Sequence, residues 1–158
     1  LLNEYLFIVI GDGDIIDKLK TKVIKLSLEN RVKFLGKKTP QELKTLTPNA
    51  VIGMSLEEDL GLNYRYALPN KFFEYLHGGL PVIVSGNLEY LSGIVMGNQL
   101  GWVSQFSDVK DTVVSIQPSE VETFKNKVVD YAKDAVWETD AIQYKKIYKS
   151  FVKQERSK

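Results

Sequence analysis

Lys71 and Glu74 stand three residues apart in the stretch Tyr66-Ala67-Leu68-Pro69-Asn70-Lys71-Phe72-Phe73-Glu74-Tyr75-Leu76-His77-Gly78-Gly79. On a helix this spacing sets an ammonium and a carboxylate on one face, about 4.5 Å apart along the axis. The segment also supplies a helix start. Pro69 suits the first helical position, where its missing N–H costs nothing, and Asn70 or the residues just before Pro69 can cap it. The amino end of a helix offers unpaired N–H groups and the positive end of the dipole, both of which attract phosphate. A lysine there adds a point charge, and a carboxylate one turn deeper can accept hydrogen bonds from ring hydroxyls. A nucleoside diphosphate, with ribose and phosphate adjacent, has this layout. An ordinary solvated pair on a surface helix has the same spacing and contributes about 0.2 to 0.5 kcal/mol, so spacing alone leaves both readings open.

The elements that must position this pair follow from the patterning. Gly78-Gly79 ends the helix, and Leu80-Pro81-Val82-Ile83-Val84 reads as a buried parallel strand. Upstream, Leu6–Ile10 is an apolar strand ending in Gly11-Asp12-Gly13, followed by a helix with Ile15, Ile16, Leu19, Val23 and Leu26 on one face. Gly11 and Gly13 alone leave a three-glycine dinucleotide fingerprint incomplete and fit an ordinary tight turn equally well. Val32–Gly36 is the next strand, with Lys37 in its turn, and Thr39-Pro40-Gln41-Glu42 is a capping box. Ala50–Met54 is expected as a third strand, leading to a long irregular loop whose acids Glu57, Glu58 and Asp59 are expected to face solvent.

Beyond the Val82 strand, a helical segment runs from Ser85 to about Met96 and a short strand, Gly101–Val103, suits a sheet edge. Ser119-Glu120-Val121-Glu122 is read as a second capping box, opening a helix with Val121, Phe124, Val128 and Tyr131 in a stripe. Thr139 is expected to cap the last helix, whose aromatic stripe with Trp137 is expected to cover the sheet, and the charged tail 153–158 to fray. Strands alternating with helices predict an α/β fold with a doubly wound, Rossmann-like parallel sheet. Ligands bind such sheets beyond the strand carboxyl ends, where the turns at Gly11 and Gly36 and the loop before Pro69 are expected to converge.

The run Leu68–Ser85, ending in Gly79-Leu80-Pro81-Val82, resembles the donor-binding segment of GT-B glycosyltransferases of the large retaining group often called group 1. The resemblance extends over about Tyr5 to Val152 and implies the C-terminal half of such an enzyme. It implies that Glu74 bonds the ribose hydroxyls and that Lys71, in Pro69-Asn70-Lys71, faces the donor diphosphate, the two forming the catalytic set. It further implies donor contacts from Gly11, Gly13, Gly36, Lys37 and the approach Tyr66, Ala67, Leu68, Pro69 and Asn70. Tyr66 departs from the family, which carries a first glutamate there, and one acid of 57–59 is a candidate replacement. The implied reaction moves a sugar from a nucleoside diphosphate sugar to an acceptor hydroxyl of a sugar or lipid-linked acceptor, with no cofactor and no obligatory metal. The alternatives are a non-catalytic nucleotide-binding module and a nucleotide-sugar epimerase of the same fold.

The whole chain agrees with one domain over residues 1–158. It has 158 residues, 44% hydrophobic, and 21 basic against 20 acidic side chains for a formal net charge of +1, a balance that asks for no nucleic acid. There is no cysteine, which fits a cytoplasmic protein, and the single His77 excludes multi-histidine metal sites. No apolar run approaches the roughly 20 residues needed to span a bilayer. The chain starts at Leu1 in an apparent helix end, so a preceding acceptor half, with the first strand and helix of this half and any peripheral membrane contact, is expected.

Overall fold

The computed structural model describes residues 5–58 and 60–155, with side chains through Phe151. In order the elements are β1 (Phe7–Val9), α1 (Ile16–Lys25), β2 (Val32–Phe34), α2 (Pro40–Leu46), β3 (Gly53–Ser55), α3 (Leu62–Arg65), α4 (Asn70–His77), β4 (Val82–Ser85), α5 (Glu89–Asn98), β5 (Gly101–Ser104), α6 (Val109–Ser115), α7 (Pro118–Ala132) and α8 (Trp137–Glu155). Every strand pair is parallel, as alternating strands and helices require. The strands form two ladders, β1-β2 and β3-β4-β5.

The core lies in the second ladder. All of β4 is buried, and Val82 and Val84 join Phe72, Leu76, Leu88, Leu91, Val95, Leu100 and Val128 in one apolar cluster. A strand flanked by β3 and β5 and packed by helices must be apolar on both faces, which is why Val82-Ile83-Val84 does not alternate. Strand β5 is the outer strand, as its short length suggested, and Trp102 meets Phe124 of α7 edge to face at 4.9 Å. By contrast, no described residue between Tyr5 and Ala50 is fully buried, and Leu6 and Phe7 are about half exposed.

Several boundaries differ from the sequence reading. The first and second strands are shorter than their apolar runs, and β3 starts at Gly53 rather than Ala50, because the Thr47–Asn49 turn intervenes and the Gly53 N–H is the group that reaches the Pro81 carbonyl. The loop before Pro69 contains the one-turn helix α3. Helix α7 begins at Pro118: the Glu120 carboxylate accepts the Gln117 N–H at 2.8 Å, so the box sits two residues earlier than Ser119. Helix α8 begins at Trp137, which displaces Thr139 from the cap. Its aromatic stripe does not cover the sheet. Trp137, Tyr144, Ile147, Tyr148 and Phe151 are all exposed, with Trp137 stacked on Tyr144 at 5.9 Å. Asp59, the chain start at Leu1 and the end of the tail lie outside the described residues.

Candidate functional site

Helix α4 is short and tightly placed. Pro69 is its N-cap, not its first residue, with φ −65° and ψ 140°, and no side chain caps it. A proline cannot cap through a side chain, and Asn70, inside the first turn, is too late to do so. The Phe72 N–H bonds the Pro69 carbonyl at 3.0 Å, so Asn70 and Lys71 are left as the open first-turn donors. At the other end Gly79 takes φ +72°, and the Leu80 N–H reaches the Tyr75 carbonyl at 2.9 Å. This left-handed closure turns the chain from α4 into β4 within four residues.

Phe72 and Leu76 anchor the helix in the core, leaving Lys71 and Glu74 exposed. Tyr75 fixes its other side. Its ring lies directly over Gly53 of β3, and its hydroxyl donates to the Met54 carbonyl at 3.2 Å. Burial, with the Glu57 charge acting in the same direction, pushes the Tyr75 phenol above its usual pKa.

Lys71 and Glu74 share a face but do not pair with each other. Lys71 Nζ instead meets Glu57 Oε1 at 2.7 Å, and the other oxygen of Glu57 accepts from Ser55 Oγ at 2.8 Å. Ser55 ends β3 and is fully buried. The expectation that Glu57 points to solvent is therefore corrected: its side chain is 21% exposed against 45% for Lys71. Sequence reasoning missed this link because it joins a loop to a helix fourteen positions away, a contact that no local pattern signals. Glu58 is exposed, as expected of it.

The remaining site candidates fall at the carboxyl ends of strands. The Gly11 N–H donates to the Gly36 carbonyl at 3.0 Å, joining the two glycine turns beyond β1 and β2, with Gly13 and Lys37 beside them. The Asp12 carboxylate accepts the Gly13 N–H at 2.9 Å. Tyr66 closes α3 and is exposed, while Ala67, Leu68 and Pro69 are half-buried, and Leu68 packs on the core. The structure thus assembles two groups: Gly11 with Gly36 in one ladder, and Ser55, Glu57 and Lys71 in the other. No cluster of three or more metal-ligating side chains occurs among the described residues, and no described helix is long and apolar enough to cross a membrane.

Parallel ladders with these turns and a short helix at the strand carboxyl edge are the fold of the C-terminal half of GT-B glycosyltransferases. WaaG, a glycosyltransferase involved in lipopolysaccharide biosynthesis, matches with a TM-score of 0.60 at 17% identity, over 81% of this chain and 34% of that one. Anabaena Alr3699/HepE in complex with UDP and glucose matches with a TM-score of 0.67 at 17% identity, over 94% and 40%. The same protein in complex with UDP-glucose gives 0.65 at 18% identity, over 94% and 41%. No curated protein matches the sequence. The chain belongs to the glucosyltransferase 3-like, C-terminal domain family, whose model matches residues 16–138. It spans only about a third to two fifths of the solved chains it resembles.

Proposed function

We propose that this chain is the donor-binding half of a glycosyltransferase that moves a hexose from a nucleoside diphosphate sugar to an acceptor hydroxyl. One observation carries the reading: Lys71 stands at the uncapped amino end of α4, held beside the carboxyl end of β3 by Glu57. Family membership and the UDP and UDP-glucose complexes of the HepE relative support it. Lys71 and the open N–H groups of Asn70 and Lys71 take the diphosphate. Glu74, one turn on and exposed, accepts from the ribose hydroxyls. The Gly11, Gly13, Gly36 and Lys37 turns meet the nucleotide, and Tyr66 to Pro69 shape the approach.

In the reaction the bond from the anomeric carbon to the diphosphate oxygen breaks, and the acceptor oxygen bonds that carbon and loses its proton. Charge develops on the leaving diphosphate, so an ammonium and a helix amino end fixed there lower the barrier, and this reading requires no metal or other cofactor. Neither the fold nor the site gives the epimerase or non-catalytic alternatives a specific observation.

The rest of the enzyme belongs to the same proposal. The Phe7 N–H donates to the Arg31 carbonyl and the Val9 carbonyl accepts the Leu35 N–H, on either side of β2, so Ile8 directs its backbone groups away from that ladder. Met54 likewise faces away from β4, whose side is taken by Gly53. These two parallel edges, with the poorly covered β1 to β2 unit and the exposed aromatic face of α8, fit a preceding segment. It would supply a strand between β1 and β3, its helix, and the acceptor-binding half. Cytoplasmic placement, with any membrane contact through that half, completes the reading. The test is sugar transfer by the full-length protein and by its Glu74→Ala variant over a panel of nucleoside diphosphate sugars. Transfer reduced at least tenfold in the variant is expected; equal rates would remove Glu74 from the site, and steady transfer by residues 1–158 alone would refute the division of labour.

A further inference from the structure

The geometry points to Glu57 as a built-in counter-ion that occupies the anion position on Lys71 until a phosphate-bearing ligand displaces it, and so as a residue that holds down affinity for every ligand that places an anion there. This deepens the site proposed above and rests on Lys71 being the cation of that site. Glu57 is not a freely solvated partner. One carboxylate oxygen is held by the Oγ of the buried Ser55 at 2.8 Å while the other meets Lys71 Nζ at 2.7 Å. Lys71 is the longer and more exposed partner, and the serine fixes where the pair forms.

An incoming phosphate that reaches Lys71 arrives within a few ångströms of this carboxylate. Like charges at that separation repel, and water screens this repulsion only in part because the Glu57 side chain is 21% exposed. Either Glu57 turns away about its serine anchor or the ligand binds against its field. A ligand carrying two phosphates gains more from Lys71 and the helix amino end than one carrying a single phosphate, but each must displace the same internal competitor. Glu57 thereby penalises every ligand that places a phosphate on Lys71, the diphosphate at least as much as the monophosphate, and leaves an uncharged nucleoside unaffected. Among the described residues, Tyr75 is a further titratable group beside Glu57. It remains neutral at physiological pH and cannot substitute as the counter-ion.

The experiment measures affinities of uridine, UMP and UDP for the full-length protein and for Lys71→Met, Glu57→Gln and Glu57→Ala. Glutamine retains the shape and can still accept from Ser55 while losing the charge. Glu57→Gln is expected to tighten UMP about threefold, UDP by at least as much and uridine not at all, in line with relief of one partly screened charge contact. Glu57→Ala should change UDP and UMP in the same direction, which separates loss of charge from any special property of the amide. UDP affinity unchanged or weakened in both Glu57 variants, with Lys71→Met still weakening it, overturns this inference and leaves the proposed site standing. A Lys71→Met protein that binds UDP as tightly as wild type overturns both.

Discussion

Gly53→Ala tests how α4 is placed, because the helix rests on that residue. A methyl built on Gly53 would lie 2.8 Å from Tyr75 Cδ1 and closer still to Cγ and Cδ2. Ordinary carbon contacts need about 3.5 Å, so the ring must retreat by roughly 1 Å. Overpacking of this kind costs about 1–3 kcal/mol. The Tyr75 hydroxyl bond to Met54, already 3.2 Å, does not survive such a move and adds roughly 0.5–1.5 kcal/mol. The sum, about 1.5–4.5 kcal/mol, corresponds to a melting temperature lowered by roughly 3–18 °C for a domain of this size. Because Tyr75 lies one residue past Glu74 and four past Lys71, diphosphate affinity should fall with it. Thermal melts and UDP titration of Gly53→Ala, Tyr75→Leu and the double variant measure this. The double variant should recover most of the loss, as expected for residues in direct contact. A melting temperature within about 2 °C of wild type in Gly53→Ala would refute the packing argument, whatever the binding data show.

Other outcomes follow from the same coordinates. Gly93→Ala, exposed inside α5 with nothing within 4 Å of a built methyl, should be neutral to stabilising by up to about 1 kcal/mol in a melt. Gly79→Ala forces a side chain into a left-handed position at φ +72° and should cost about 1–2 kcal/mol, read by urea unfolding. The Tyr75 phenol titrates higher folded than unfolded, so its contribution is whole below about pH 10 and is lost as pH rises toward the folded value; Tyr75→Phe should flatten that alkaline decline in stability. The Glu42 carboxylate, held below its usual pKa by the Thr39 N–H and hydroxyl, contributes above the unfolded value of 4.5 and loses that contribution as pH falls through the folded one. The stability difference between wild type and Thr39→Ala should therefore shrink on acidification. Sugar transfer by the full-length protein should persist in a metal chelator, and abolition by chelation with rescue by a divalent ion would contradict the role given to Lys71.

Much of this arrangement was legible in the sequence. An unbroken Leu80–Val84 run between glycines allows little but a buried parallel strand, and the fully buried β4 follows. Thr39-Pro40-Gln41-Glu42 fixed the start of α2, since both halves of its capping box form. The second box was misplaced because Pro118, a strong first-position residue, and Gln117, a weaker cap, outcompete Ser119. The Val51 side of the third strand failed because apolar composition does not report where a ladder begins; the partner's carbonyl does. The exposed aromatics of α8 show the same limit, as periodicity identifies an apolar face without naming what covers it. The proximity of Lys71 to the loop was implied by topology, while its partner, Glu57, came from tertiary structure alone.

The most direct measurement is an amide chemical-shift titration of the full-length protein with UDP. The account places the diphosphate on the uncapped amino end of α4, so the backbone N–H signals of Asn70 and Lys71 should show the largest shifts, with smaller ones at Gly11 and Gly36. Saturable UDP binding that leaves the Asn70 and Lys71 amides unmoved would contradict it.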